Sequence, residues 1–144
     1  MKYNWKQFDR DTTKLVKKIK KDKFKPKTII ALARGGLILG VKLSHKLNCP
    51  LMIVSCKTYS EAKKSLDTVL LNTSYTVPLQ SPVLICDEMV DSGKTLKVIV
   101  DHFKSLSINI RTATLLYKPH SIIKPDYYIE EVNNICWVNL CWEI

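Results

Sequence analysis

The sequence predicts an α/β protein built on one mostly parallel sheet flanked by helices. Three observations predict it. Short β-branched and apolar runs recur at residues 28–33, 51–56, 82–86 and 111–117, each with the length and composition of a buried strand. Segments of helical period or helix-opening character separate most of these runs. The 144 residues are 46% hydrophobic and 25% charged, which suits a single domain, residues 1–144, that buries its own core. The composition excludes disorder and collagen-like repeats. The longest apolar runs fall far short of the roughly 18–20 residues of a membrane span, so no membrane partner is expected.

The elements follow in order. Trp5, Phe8, Leu15, Val16 and Ile19 share one helical face, with Lys and Arg on the others. Asn4 and Gln7 have the spacing of a capping box, and Pro26 ends the helix by residues 21–25. Residues 28–33 form a buried strand, broken by Arg34-Gly35-Gly36. Residues 37–47 read as a helix stopped by Asn48 and Pro50, and 51–56 as a second strand. Residues 57–81 are polar and weakly periodic, a long connection with hairpin character around 69–77, and connections of that length are usually functional. A third strand at 82–86 runs into an acidic segment that opens a helix reaching about Leu106. A fourth strand spans 111–117, a fifth is expected at 127–130, and the tail 136–144 is aromatic and short.

The chain has 23 basic and 13 acidic residues, a formal net charge of +10. A surplus of this size suggests an anionic partner, but it is concentrated: residues 1–27 hold eleven Lys or Arg against three Asp. The solvated face of the first helix accounts for most of it. Five cysteines without a C-x-x-C pair, and three scattered histidines, argue against a zinc site or a disulfide framework. The reading is a reduced, cytoplasmic protein, and no signal peptide is expected because no apolar stretch follows the first charges.

Chemistry concentrates in Asp87-Glu88-Met89-Val90-Asp91-Ser92-Gly93-Lys94-Thr95. A strand delivers two adjacent carboxylates, a third follows, and a small-residue loop opens a helix. Ser92 to Thr95 supply main-chain N–H groups at a helix N-terminus, two hydroxyls and a glycine, the ingredients of a phosphate cradle. Ser-Gly-Lys-Thr also suggests a nucleotide P-loop, but that motif needs glycine where Glu88 stands. Three carboxylates beside a phosphate call for a diol or a divalent cation to make them compatible.

Asp87 to Thr95 resembles the phosphoribosyl-diphosphate (PRPP) signature of type I phosphoribosyltransferases. Ala33-Arg34-Gly35-Gly36-Leu37 is similar to the pyrophosphate loop of the bacterial xanthine–guanine enzymes. Tyr117-Lys118-Pro119 resembles their purine-site lysine segment. Trp137-Val138-Asn139-Leu140-Cys141-Trp142-Glu143 resembles their base-binding tail. The resemblance covers nearly the whole chain. It implies the type I phosphoribosyltransferase fold, with a small hood formed by loop and terminal segments, and transfer of the phosphoribosyl group of PRPP to a 6-oxopurine. Asp87 and Glu88 would hold the ribose hydroxyls, directly or through metal-bound water, with Mg²⁺ as cofactor. Ser92, Gly93, Lys94 and Thr95 would cradle the 5′-phosphate, and Asp91 would be the general acid/base at the purine N7. Arg34 and Gly35 would bind pyrophosphate, at a peptide often cis in that family. Lys118 would donate to the purine O6, Trp137 would stack on the base, and the main chain at Val138 and Glu143 would meet its 2-substituent. Residues 57–81 would be the hood loop, with Thr58-Tyr59 at its start, and the assembly a homodimer or homotetramer. This chain departs from the family pattern in Asp-Glu for the commoner acidic pairs and in Ser92 for the usual threonine.

Two alternatives stand beside this reading. One is a non-enzymatic regulator of the same fold that senses PRPP or a nucleotide and binds nucleic acid through the basic first helix. A nucleic-acid partner is not the expected outcome, because the purine-site residues are intact. The other is a phosphoribosyltransferase for a different acceptor base.

Overall fold

The computed structural model describes residues 1–59, 68–73 and 78–143, and of residues 56–59 and 68–73 it describes the backbone. The elements are β1 (Lys2–Tyr3), α1 (Trp5–Lys21), β2 (Thr28–Ala33), α2 (Gly36–Leu47), β3 (Leu51–Tyr59), β4 (Thr68–Thr73), β5 (Val83–Val90), α3 (Lys94–Ser105), β6 (Ile110–Tyr117), β7 (Glu130–Glu131) and β8 (Asn139–Leu140). Six strands form the main sheet in the order β4-β3-β2-β5-β6-β7. All its pairings are parallel except β3 with β4.

Alternation along the central strands feeds two cores. Ile29, Ala31, Leu84 and Cys86 face α1 and α2, meeting Leu15, Ile19, Leu39 and Leu43. Ile30, Leu32, Val83 and Ile85 face α3, meeting Ile99, Val100 and Phe103. Because α2 and α3 cover opposite faces, the chain leaves β2 one way and β5 the other. The carboxyl ends of these neighbouring strands therefore flank a crevice, the place where open α/β sheets bind ligands.

The first helix forms as its cap predicts. Gln7 N donates to Asn4 Oδ1 and Asn4 N donates to Gln7 Oε1, both at 2.9 Å. All eleven Lys and Arg of residues 1–27 are exposed. Its inner face is less apolar than its pattern suggests. Asp11 and Thr12 are buried there, and Asp11 is held by the Tyr3 hydroxyl at 2.9 Å and by Arg10 Nε at 2.8 Å. Trp5 is largely exposed and packs edge-on against Phe8, with Trp142 alongside.

Several boundaries differ from expectation. β5 continues through the acidic pair to Val90, because β6 offers a partner as far as Tyr117. β3 runs on to Tyr59, and its extension pairs with 68–73. β4 thus occupies part of the expected 69–77 hairpin, and Thr58 and Tyr59 belong to a strand. Of the expected hood at 57–81, residues 60–67 and 74–77 lie outside the described residues. The fifth strand is short: Tyr127 makes an isolated bridge to Ala113 and the ladder resumes at Glu130. The tail forms β8, which pairs in parallel with β1 and so joins the two ends of the sequence. Among the described residues no helix is long and apolar enough to cross a membrane.

Candidate active site

Two cavities open at the crevice. The smaller, about 160 Å³, is lined by Asp87, Met89, Val90, Asp91, Ser92, Gly93, Thr95 and Leu96. It is the bend from β5 into α3, and its shape depends on Gly93. That residue caps α3 with φ of 79°, a left-handed conformation that costs other residues. A Cβ there would also lie 2.1 Å from Ser121 Oγ. The first-turn N–H groups of a helix have no intrahelical partners and are the usual donors to an anion; here the Lys94 N–H donates to Ser92 Oγ at 3.4 Å.

The larger cavity, about 750 Å³, is lined by Arg34, Gly35, Leu37, Ile38, Glu88, Trp142 and Glu143. Arg34 is exposed and follows a cis Ala33–Arg34 peptide. A Cβ at Gly35 would lie 2.0 Å from the Glu88 carboxylate, so that carboxylate rests directly on the loop at the start of α2. Glu88 Oε2 and Trp142 Nε1 are both buried without a hydrogen-bond partner, an acceptor and a donor in one cavity.

The adjacent acids thus line different cavities while remaining in contact. Glu88 N donates to Asp87 Oδ1 at 2.9 Å. Burial, then the neighbouring Glu88 carboxyl, push the Asp87 carboxyl well above the usual carboxylate range. Burial and the same two acids also push up the Cys86 thiol behind them. Crowded carboxylates with an unpartnered buried oxygen suit a hard divalent cation that retains waters. Among the described residues no three His, Cys, Asp or Glu side chains group to hold a metal by themselves. Substrate oxygens and water would have to complete such a site.

Lys118 is buried, and its Nζ donates to Asp91 Oδ2 at 2.9 Å. Its own N–H bonds Val90 O at 2.9 Å, which holds the end of β6 beside the end of β5. Asp91, Ser92, Gly93, Thr95 and Asp87 are therefore brought together, with Lys118 joined through Asp91. Arg34, Gly35, Glu88 and Glu143 form a second group. Trp137 and Val138 line neither cavity. Val138 is buried, whereas Trp137 is 79% exposed, its Nε1 donating to Asn139 Oδ1 at 2.9 Å. Its ring is thus open to a stacking partner. Lys94 opens α3 outside the lining of either cavity.

One residue at the site, His120, escapes a reading of motifs, whereas Trp142 belongs to the tail motif 137–143. His120 Nε2 lies 2.8 Å from Asp91 Oδ1, and its only sequence signal is its place two residues after Lys118. Trp142 enters the larger cavity, packed edge-on against Phe8 at 5.3 Å between ring centroids.

A crevice with a helix N-terminus on one side and an Arg-Gly loop on the other, joined by carboxylates, offers donors and acceptors suited to a phosphorylated, hydroxyl-bearing molecule. The chain belongs to the phosphoribosyl transferase domain family, whose model matches residues 3–143. It is 25% identical over 142 residues to a xanthine-guanine phosphoribosyltransferase of Chromohalobacter salexigens, covering 98% of this chain and 82% of that one. It is 26% identical over 146 residues to the enzyme of that name from Cereibacter sphaeroides, covering 98% and 85%. Among solved structures, a purine phosphoribosyltransferase from Pyrococcus horikoshii superposes with a TM-score of 0.86 at 33% identity, covering 100% of this chain and 94% of that one. The Helicobacter pylori xanthine-guanine-hypoxanthine phosphoribosyltransferase shares the fold, with a TM-score of 0.85 at 21% identity over 99% and 93% of the chains.

Proposed function

We propose that this protein transfers the 5-phosphoribosyl group of PRPP to guanine, xanthine or hypoxanthine, releasing pyrophosphate and a nucleoside 5′-monophosphate. The observation that carries the reading is the Asp91–Lys118 pair beside the phosphate cradle. It combines a proton acceptor for a ring nitrogen with a cationic donor for an oxo group, next to a site for the sugar phosphate.

In this reading the N–H groups of Ser92 to Thr95 hold the 5′-phosphate and fix the ribose over Asp87 and Glu88. Carboxylates accept from the 2′- and 3′-hydroxyls, and their charge favours positive charge developing at C1′. Arg34 and the main chain at Gly35 receive the departing pyrophosphate. Asp91 takes the N7 proton as N9 bonds C1′. Lys118 donates to O6, which rejects an amino group at that position because two donors would then face each other. Trp137 stacks on the base, worth roughly 1–3 kcal/mol, and the main chain at Val138 and Glu143 meets the 2-substituent. Asp87 and Glu88 would hold Mg²⁺, which supplies positive charge to the pyrophosphate leaving group when bound.

The test is incubation with PRPP and Mg²⁺ and each of guanine, xanthine, hypoxanthine and adenine, with nucleotide formation followed by chromatography. Turnover of at least one 6-oxopurine and none of adenine is expected. Failure with every 6-oxopurine overturns the proposal.

A further inference from the structure

Both oxygens of Asp91 are engaged in this structure, Oδ2 by Lys118 Nζ and Oδ1 by His120 Nε2. Both contacting groups come from one turn, and that turn is tied to the loop carrying Asp91. Lys118 N donates to Val90 O at 2.9 Å and Ile122 N to Ser92 O at 3.0 Å, so the residues flanking Asp91 are both gripped. Ser121 N donates to Lys118 O at 3.0 Å and closes the turn around Pro119 and His120. The N–H of His120 donates to Asn134 Oδ1 at 3.2 Å. The imidazole is therefore delivered to Asp91 by backbone pairing.

Folding has little use for the contact. The His120 and Asp91 side chains are 38% and 51% exposed, and exposed ion pairs contribute little stability. Its value lies in orientation. The terminal torsion of an aspartate is broad, so an unheld carboxylate presents its oxygens in many directions. Lys118 cannot serve as the sole anchor, because the proposed function sends its ammonium to the purine O6.

We infer that His120 is a positioning residue for Asp91. Its imidazole, with Nε2 2.8 Å from Oδ1, holds that oxygen and leaves Oδ2 as the atom that meets the purine N7. The inference rests on the 6-oxopurine reading above. In the step it serves, the N7–H bond breaks and an Oδ2–H bond forms. The electron pair released into the ring supports the new N9–C1′ bond, and the C1′–O bond breaks with its pair leaving on pyrophosphate. His120 takes no part in the proton transfer.

The experiment compares wild type, His120→Ala and His120→Gln with PRPP and the best 6-oxopurine. His120→Ala is expected to lower kcat about tenfold to a hundredfold, the scale of a misplaced reacting group, with KM for PRPP within about twofold. His120→Gln, whose amide N–H reaches the same point, is expected to recover most of the loss. Unchanged kcat in His120→Ala, a glutamine variant as impaired as alanine, or a loss confined to KM for PRPP each overturns the inference. An inactive wild type overturns the functional reading instead. A readout free of turnover separates the two: in ¹⁵N-histidine-labelled protein without substrate, Asp91→Ala should move the His120 Nε2 resonance. An unmoved resonance overturns the contact itself.

Discussion

The smaller cavity is walled by one run of chain, residues 87–96, whereas the larger collects Arg34 and Gly35 from the end of β2, Glu88 from β5, and Trp142 and Glu143 from the tail. The first owes its shape to local rules: a strand end, a left-handed glycine and a helix N-terminus. The second exists only after the two ends of the chain have met. β1 pairs with β8, and Trp5, Phe8 and Trp142 cluster beside that seam. The difference teaches that the phosphate side of the site is built by the segment that carries it, while the Arg-Gly side depends on packing far along the chain.

The hardest blow to the locally built side is Asp91→Asn, which removes the proton acceptor with almost no change of size. We predict a fall in kcat of about 10²- to 10⁴-fold, with KM for PRPP changed little, measured by steady-state kinetics. Undiminished activity would remove Asp91 from the reaction.

Gly35→Ala probes the assembled side. The new methyl would meet the Glu88 carboxylate, the far end of a flexible side chain, so the chain should fold with the carboxylate displaced from the loop. We predict that KM for PRPP rises about tenfold to a hundredfold, the scale of losing a charged hydrogen bond, while Tm stays within a few degrees. A large fall in Tm with normal KM would mean that Gly35 serves packing alone.

Gly93→Ala is the matching change on the local side, and here the backbone cannot yield. A left-handed conformation costs a residue with a Cβ about 1–2 kcal/mol, and Ser121 Oγ and Ile123 stand in the way. Urea denaturation should show at least that loss, with Ser121→Gly recovering part of it. Equal stability of Gly35→Ala and Gly93→Ala would erase the contrast between the two cavities.

The same contrast decides what could be read from the sequence. The parallel sheet with a core on each face and the bend from strand to helix at 91–94 were legible because alternation and a contiguous acidic run express them locally. Arg34 and Gly35 were legible as a motif, but not as the floor on which Glu88 lies, since no local pattern encodes that approach. The β1–β8 pair was illegible because two-residue strands have no period to detect. The apolar face read for the first helix does not include Asp11, and only the fold supplies the Tyr3 hydroxyl that lets it be buried there. His120 carried no motif, and what brings it to Asp91 is the pairing of 118–122 with 90–92.

Asp87 belongs to both sides, since it lines the smaller cavity while its carboxyl shares an environment with Glu88. Burial and that neighbour raise its pKa above the value of 3.8 that it has in an unfolded chain. The folded protein therefore holds a proton that the unfolded chain gives up above about pH 4. Stability from this group is complete below that point and is lost as pH rises through the raised value. Asp87→Asn is uncharged at every pH and escapes the loss. We predict that it raises Tm of the ligand-free protein by about 2–8 °C near neutrality and leaves it unchanged below about pH 4. Mg²⁺ with PRPP should narrow the gap by raising the wild-type Tm more. A gap that persists unchanged at low pH would mean that asparagine stabilises by packing. A wild-type Tm indifferent to Mg²⁺ and PRPP would mean that the charge at Asp87 is not what binds them.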